Sequence, residues 1–190
     1  MALDIRKFGD PVLKTRAAPV ENFDESLLRL TKDMLATMRD NEGVGLAATQ
    51  VGRLKRVFVA AIEDDEYVIV NPVLTDISET TETATEGCLS IPGIQVEVER
   101  PIAVTVSGQD VSGKPLHIEA SDLLARILQH EVDHLDGVLF VDRVAMAAVP
   151  HENVDNAGFG MRAGLASAVA WAPNPKNPPF YVDFPIKANE

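Results

Sequence analysis

Apolar residues recur at three- and four-residue spacings through Leu27, Leu30, Met34 and Met38, and Asp24 stands where a helix would be capped. The pattern predicts an amphipathic helix that ends at Gly43. Two β-branched runs, 56–62 and 67–70, flank the acidic turn Glu63-Asp64-Asp65-Glu66 and predict a hairpin. Ile94, Val96 and Val98 alternate with polar neighbours, and a second extended run follows Pro101 over 103–106. Both read as strands. A second helix is expected to begin at Ser121, carry Leu123, Leu124, Ile127 and Leu128, and stop at Gly137. Hairpins beside two separated helices predict an α+β fold with small mixed or antiparallel sheets, not βαβ winding.

Composition divides the chain. Five of its twelve prolines stand at 173, 175, 178, 179 and 185, a density that blocks helix. The working domain is therefore expected over 1–145, with 146–190 as a Pro-rich extension and not an independent domain. Residues 151–190 hold four acids (Glu152, Asp155, Asp183, Glu190) and three bases (Arg162, Lys176, Lys187), a net of −1. The total is −12, so residues 1–150 carry −11. That balance opposes non-specific binding to DNA, RNA or anionic membranes, which need a positive surface. No apolar run approaches the roughly 18 residues of a membrane span. The N-terminus lacks the apolar core of a secretory signal. One cysteine excludes an intrachain disulfide and suits a reducing cytoplasm.

The densest chemistry is His130-Glu131-Val132-Asp133-His134 on the second expected helix. Histidines four positions apart leave one helix face a turn apart, the spacing for binding one metal ion. Glu131, beside the first histidine, is placed to act as a general base. A third ligand decides the reaction class. A protease pattern with another histidine six residues on fails, because Phe140 stands there. Glu152 follows Pro150 in a poorly patterned stretch, and Glu190 ends the sequence. The remaining strong donor is Cys88, within Glu86-Gly87-Cys88-Leu89-Ser90-Ile91-Pro92-Gly93, which reads as an irregular segment. A lone cysteine is commonly an inert buried residue. Joined to two imidazoles, it makes a soft set suited to Fe(II), Co, Ni or Zn over Mg or Ca. Upstream, residues 43–52 match no phosphate loop, since no Gly-Lys-Ser/Thr follows and no strand precedes them. They suit a close-packed crossing, or main-chain pairing with an extended peptide, with Gln50 aimed into the same cleft.

Three segments together resemble one family. Gly43-Val44-Gly45-Leu46-Ala47-Ala48-Thr49-Gln50, Glu86-Gly87-Cys88-Leu89-Ser90 and Gln129-His130-Glu131-Val132-Asp133-His134-Leu135 are similar to the signature motifs of peptide deformylase, in the family's order. The N-terminal stretch Phe8-Gly9-Asp10-Pro11-Val12-Leu13 through Ala18-Pro19-Val20 is also similar to bacterial members, so the likeness spans residues 4–144.

The resemblance implies small sheets packed around a central metal-binding helix. It implies a cytoplasmic bacterial enzyme that removes the N-formyl group from the formyl-methionine of nascent polypeptides and releases formate. One divalent ion, Fe(II) in the cell with Zn, Ni or Co as substitutes, would be held by Cys88, His130 and His134. Glu131 would be the acid/base, and Gln50 with the backbone N–H of Leu89 would hold the oxyanion. Gly43, Val44 and Gly45 would contact substrate, with Val44, Leu124 and Ile127 walling a methionine pocket. Formylated nascent chains are the implied partner, with transient ribosome contact. The family's lysine-rich C-terminal helix is not recognisable here.

Glu86 and Arg100 are expected to pair, with Asp133 reaching Arg100. Arg126 is expected to face solvent or the pocket mouth. Two rival readings remain: another His-Glu-x-x-His metallopeptidase, opposed by Phe140, and a silent peptide-binding homologue, opposed by intact Cys88, Glu131 and Gln50.

Overall fold

Two apolar faces of one sheet organise the protein, whose computed structural model describes residues 2–147. Asp24 accepts a hydrogen bond from the Leu27 amide and starts α1 (Glu25–Asp40). The chain leaves α1 through a bond from the Gly43 amide to the Met38 carbonyl. The left-handed residue at this exit is Glu42, at φ 55°, and not Gly43.

The strands are β1 (Gly45–Ala47), β2 (Val57–Ile62), β3 (Asp65–Thr75), β4 (Thr81–Cys88), β5 (Ile91–Pro101), β6 (Ala103–Gln109) and β7 (Pro115–Ser121). Two helices follow, α2 (Asp122–Leu135) and α3 (Phe140–Ala147). The larger sheet has the order β1-β2-β3-β6-β7, and β4-β5 forms a separate two-stranded sheet. Every strand pair is antiparallel.

Alternation explains the unbroken apolar run of β2. Phe58 and Ala60 join Ile69, Leu128, Val132 and Leu135 on the α2 side. Val57 and Val59 join Met34, Met38 and Leu46 on the α1 side. Both faces of the strand are thus covered, so neither carries polar residues. A third apolar cluster, Leu13, Ile91, Val98, Leu139 and Phe140, seats the β4-β5 hairpin against α3.

Several boundaries differ from expectation. β3 runs on to Thr75 through a register shift between Val70 and Val73. There Asn71, at φ 51°, ties its side chain to the amide and carbonyl of Val20. The sequence pattern predicts no element at β1, β4, β7 or α3. Ser121 occupies the N-cap of α2 but makes no capping bond, because its hydroxyl turns to Asp122. After α2, Gly137 adopts φ 75°, and a Cβ there would lie 2.8 Å from the Lys14 carbonyl oxygen. Of the Pro-rich extension, residues 148–190 lie outside the described residues. No helix among the described residues is long and apolar enough to cross a membrane.

Candidate active site

Helix α2 carries two stripes. Leu124, Leu128, Val132 and Leu135 belong to the main core. Leu123, His130 and Glu131 line an open cleft, and Ile127 belongs to that core while also meeting the cleft. The cleft is walled on its other sides by Gly43, Val44 and Gly45 and by the β4-β5 turn. Leu124, expected as a pocket wall, is therefore corrected to a core position. Leu123, one residue earlier and 54% exposed, takes the cleft side.

His130 and His134 stand one turn apart, with ring centroids at 4.9 Å and planes at 74°. Cys88 is the last residue of β4 rather than part of an irregular segment, and the β4-β5 register shifts between Gly87 and Cys88. Its Sγ lies 3.2 Å from Nε2 of His134. The donor atoms of Cys88, His130 and His134 all fall within 4.8 Å of one another. A helix and a separate hairpin thus supply the three groups jointly.

Gln50 sits on the turn of 3-10 helix Ala48–Val51 and is buried. Its Oε1 accepts the Ala47 amide at 2.7 Å, which settles the orientation of its amide group. The NH2 then points to Ser90 Oγ at 3.2 Å and Cys88 Sγ at 3.4 Å. Glu131 is 3% exposed, and its Oε2 has no hydrogen-bond partner among the described residues. Burial raises its carboxyl from the usual 4.5 to about 7, against the pull of the His130 and Arg100 charges.

Behind the histidines lies a buried charge network. Arg100, 2% exposed, donates from Nε and Nη2 to both oxygens of Glu86, at 2.5 and 2.9 Å. Its Nη1 donates to Asp133 at 2.8 Å. The expected pairings of Glu86 and Asp133 with Arg100 are both present. Arg143 of α3 closes the far side of Asp133, donating from Nε at 2.7 Å. Arg126 is not solvent-facing. It donates to Glu86 Oε1 and Val98 O at 2.9 and 2.8 Å, and to Glu82 O at 2.8 Å. Those three acceptors turn it inward and bind α2 to both strands of the hairpin.

Burial would raise the Glu86 carboxyl, but the hydrogen bonds from Arg100 and His130 and the Arg100 charge overcome it and lower it to about 2. Glu86 is thus a carboxylate and accepts from Nδ1 of His130 at 2.9 Å. That leaves Nε2 as the donor atom of this ring. Burial disfavours the His130 cation, yet its bonds to Cys88 and Glu86 and the Glu131 charge raise its pKa to about 10. Burial pushes His134 well below its usual value.

One thiol and two imidazoles form a soft donor set with room for a fourth ligand, and Glu131 Oε2 is buried beside it without a partner. The residues fit a divalent transition-metal ion. An α+β fold that sets such donors against a buried carboxylic acid defines a metal-dependent hydrolase.

Comparison with known proteins narrows the class. The family described as polypeptide deformylase matches residues 2–149. Peptide deformylase 1 of Corynebacterium efficiens is 53% identical over 148 residues, spanning 74% of this chain and 86% of the relative. The crystal structure of peptide deformylase from Thermotoga maritima superposes with a TM-score of 0.74 at 45% identity, covering 75% of this chain and 97% of that one. A Met-Ala-Ser-bound peptide deformylase of Acinetobacter baumannii gives a TM-score of 0.73 at 38% identity, covering 75% of this chain and 98% of that one. The chain belongs to the polypeptide deformylase family.

Proposed function

We propose that this protein hydrolyses the N-formyl group from the formyl-methionine that begins new polypeptides, releasing formate. The observation that carries the reading is the meeting of Cys88, His130 and His134 with the buried acid of Glu131 in one cleft. Cys88, His130 and His134 would hold one divalent ion, Fe(II) in the cell, with Zn, Ni or Co able to substitute. Such an ion supplies Lewis acidity that activates water near neutral pH.

The chain's own groups do the rest. Glu131 takes the proton of the attacking water and returns it to the departing amine. A carboxyl held at about 7 gains and loses a proton readily near neutrality. The Gln50 amide and the Leu89 N–H donate to the carbonyl oxygen as it gains charge. β1 is an edge strand of the larger sheet, so an extended substrate pairs along residues 43–45. Val44, Leu123 and Ile127 offer apolar surface to the methionine side chain. A formyl carbon bears only hydrogen, so the crowding of Glu131 and Gln50 admits it and excludes bulkier acyl groups. The Met-Ala-Ser bound by the Acinetobacter baumannii relative supports a peptide in this cleft.

In this reading residues 1–145 are the catalytic domain and 146–190 an extension. The protein works in the bacterial cytoplasm on formylated nascent chains, meeting the ribosome transiently. The test is formate release from formyl-Met-Ala-Ser by iron-loaded protein handled anaerobically, with elemental analysis of the same sample. Metal-loaded protein that releases no formate overturns the reading. Cleavage of internal peptide bonds without deformylation would replace it with a metallopeptidase.

A further inference from the structure

Three consecutive N-terminal residues reach the two elements that carry the oxyanion donors. The Arg6 amide donates to the Gln50 carbonyl at 2.7 Å, and the Phe8 amide to the Ser90 carbonyl at 2.8 Å. Between them, the Lys7 ammonium donates to the Leu89 carbonyl at 2.8 Å. The segment is anchored upstream. The Leu3 amide bonds to Thr37 Oγ1 at 2.8 Å, and Leu3 and Ile5 pack on the α1 side of the core.

Gln50 and Leu89 are 39 positions apart (89 − 50); the first is on the 3-10 helix Ala48–Val51 and the second in the turn between β4 and β5. The Gln50 amide joins the two segments directly, through Ser90 Oγ at 3.2 Å and Cys88 Sγ at 3.4 Å. The N-terminal segment adds a second link from outside. Leu89 is then confined on several sides. Its carbonyl is held by Lys7, its successor Ser90 by Phe8, and its side chain lies so close to Gly43 that a Cβ there would be 2.7 Å from Cδ1.

We infer that residues 6–8 are a strap that sets the separation of the Gln50 and Leu89 donors, and that Lys7 is a positioning residue for the hydrolysis. This rests on the proposed roles of Gln50 and Leu89. The Lys7 bond is charge-assisted, so it is stronger than a neutral one to the same carbonyl. It restrains the Leu89–Ser90 peptide plane, and through it narrows the range open to the adjoining Leu89 N–H. Donors that stabilise a developing oxyanion are sensitive to displacement, since one lost donor costs about 10²–10³ in rate. A loosened donor is expected to cost less, about tenfold. Lys7 is on the surface, and surface substitutions commonly leave stability almost unchanged. Rate and stability therefore separate.

The experiment compares full-length wild type, Lys7→Met and Lys7→Arg. Lys7→Met keeps the stem and loses the donor, whereas Lys7→Arg keeps a charged donor. On formyl-Met-Ala-Ser, Lys7→Met is expected to lower kcat about tenfold with KM within about twofold and metal content unchanged. Lys7→Arg is expected to recover most of the loss. Hydrogen exchange by mass spectrometry should show faster exchange across residues 88–91 in Lys7→Met alone. An unchanged kcat overturns the inference. So does a rise in KM at constant kcat, which would make Lys7 a substrate contact, and so does loss of metal. Wild type without formate release would overturn the functional reading instead. In that case the exchange data still decide: equal exchange in wild type and Lys7→Met overturns the strap.

Discussion

A Cβ added to Gly45 would lie 2.3 Å from Oε1 of Glu131, so the carboxylate fills the space a side chain on β1 would need. The glycine is a packing requirement of the helix acid and not only a place for a peptide to approach. Gly45→Ala is expected to displace Glu131 and lower kcat/KM by about a hundredfold, as misplacement on the order of 1 Å does. Steady-state kinetics beside elemental analysis checks this, with metal content expected to stay at the wild-type level.

Glu131→Gln should separate turnover from stability. Removing a general acid/base costs about 10²–10⁴ in rate, while the metal is expected to stay because the proposed ligand set is Cys88, His130 and His134. The folded-state carboxyl is raised from 4.5 to about 7, so the native form binds its proton more tightly than the unfolded form. The charge therefore destabilises the fold as pH rises through that window. At pH 8 the metal-free variant should melt higher than metal-free wild type, by about 2–4 °C for each kcal/mol relieved. Calorimetry at pH 5 and pH 8 is decisive, since the gain should shrink at the lower pH.

Cys88→Ser should weaken binding of Zn or Co at least tenfold in competition with a chelator, because a hydroxyl is a harder and poorer donor than a thiolate. Equal affinity in wild type and variant would remove Cys88 from the ligand set.

Arg100→Met would take one arginine from each of the buried carboxylates Glu86 and Asp133, leaving Arg126 and His130 on the first and Arg143 on the second. A fully stranded charge would cost about 3–5 kcal/mol, so a smaller loss is expected, measurable by urea unfolding. The variant also has a pH signature. Glu86 is lowered from 4.5 to about 2 in the fold, so its stabilisation is complete above pH 4.5 and disappears as pH falls toward 2. That acid-side loss should be smaller in Arg100→Met than in wild type.

The legible parts of the chain were those in which local pattern and burial agree. The runs of β2 and β3, the capped α1 and the histidine helix are of this kind. Strand β4 was opaque because Thr81, Glu82, Thr83 and Thr85 are exposed and polar. Its place is held by pairing with β5 and by Arg126 and Arg100, not by an apolar face. Arg126 does line the cleft, but its inward anchoring was hidden for a related reason. Its acceptors stand 28 to 44 positions away in sequence, and no local window contains them. Leu123 and Leu124 were confused because an apolar pair on a helix does not declare which member meets the core. The histidine motif was easier, since its function depends on spacing within one helix.

The division of the site between α2 and the β4-β5 hairpin has a consequence in time. Cys88 and His130 are 42 positions apart (130 − 88), and they meet only when the hairpin, a sheet of its own, has docked on the helix. Contacts across so long an intervening segment form late, after local structure has offset the entropy of closing the loop. A refolding chain will hold α2 before it can hold a metal tightly. The rate at which the chain captures Co(II), read from its thiolate absorption, is then a clock for the last docking step of folding.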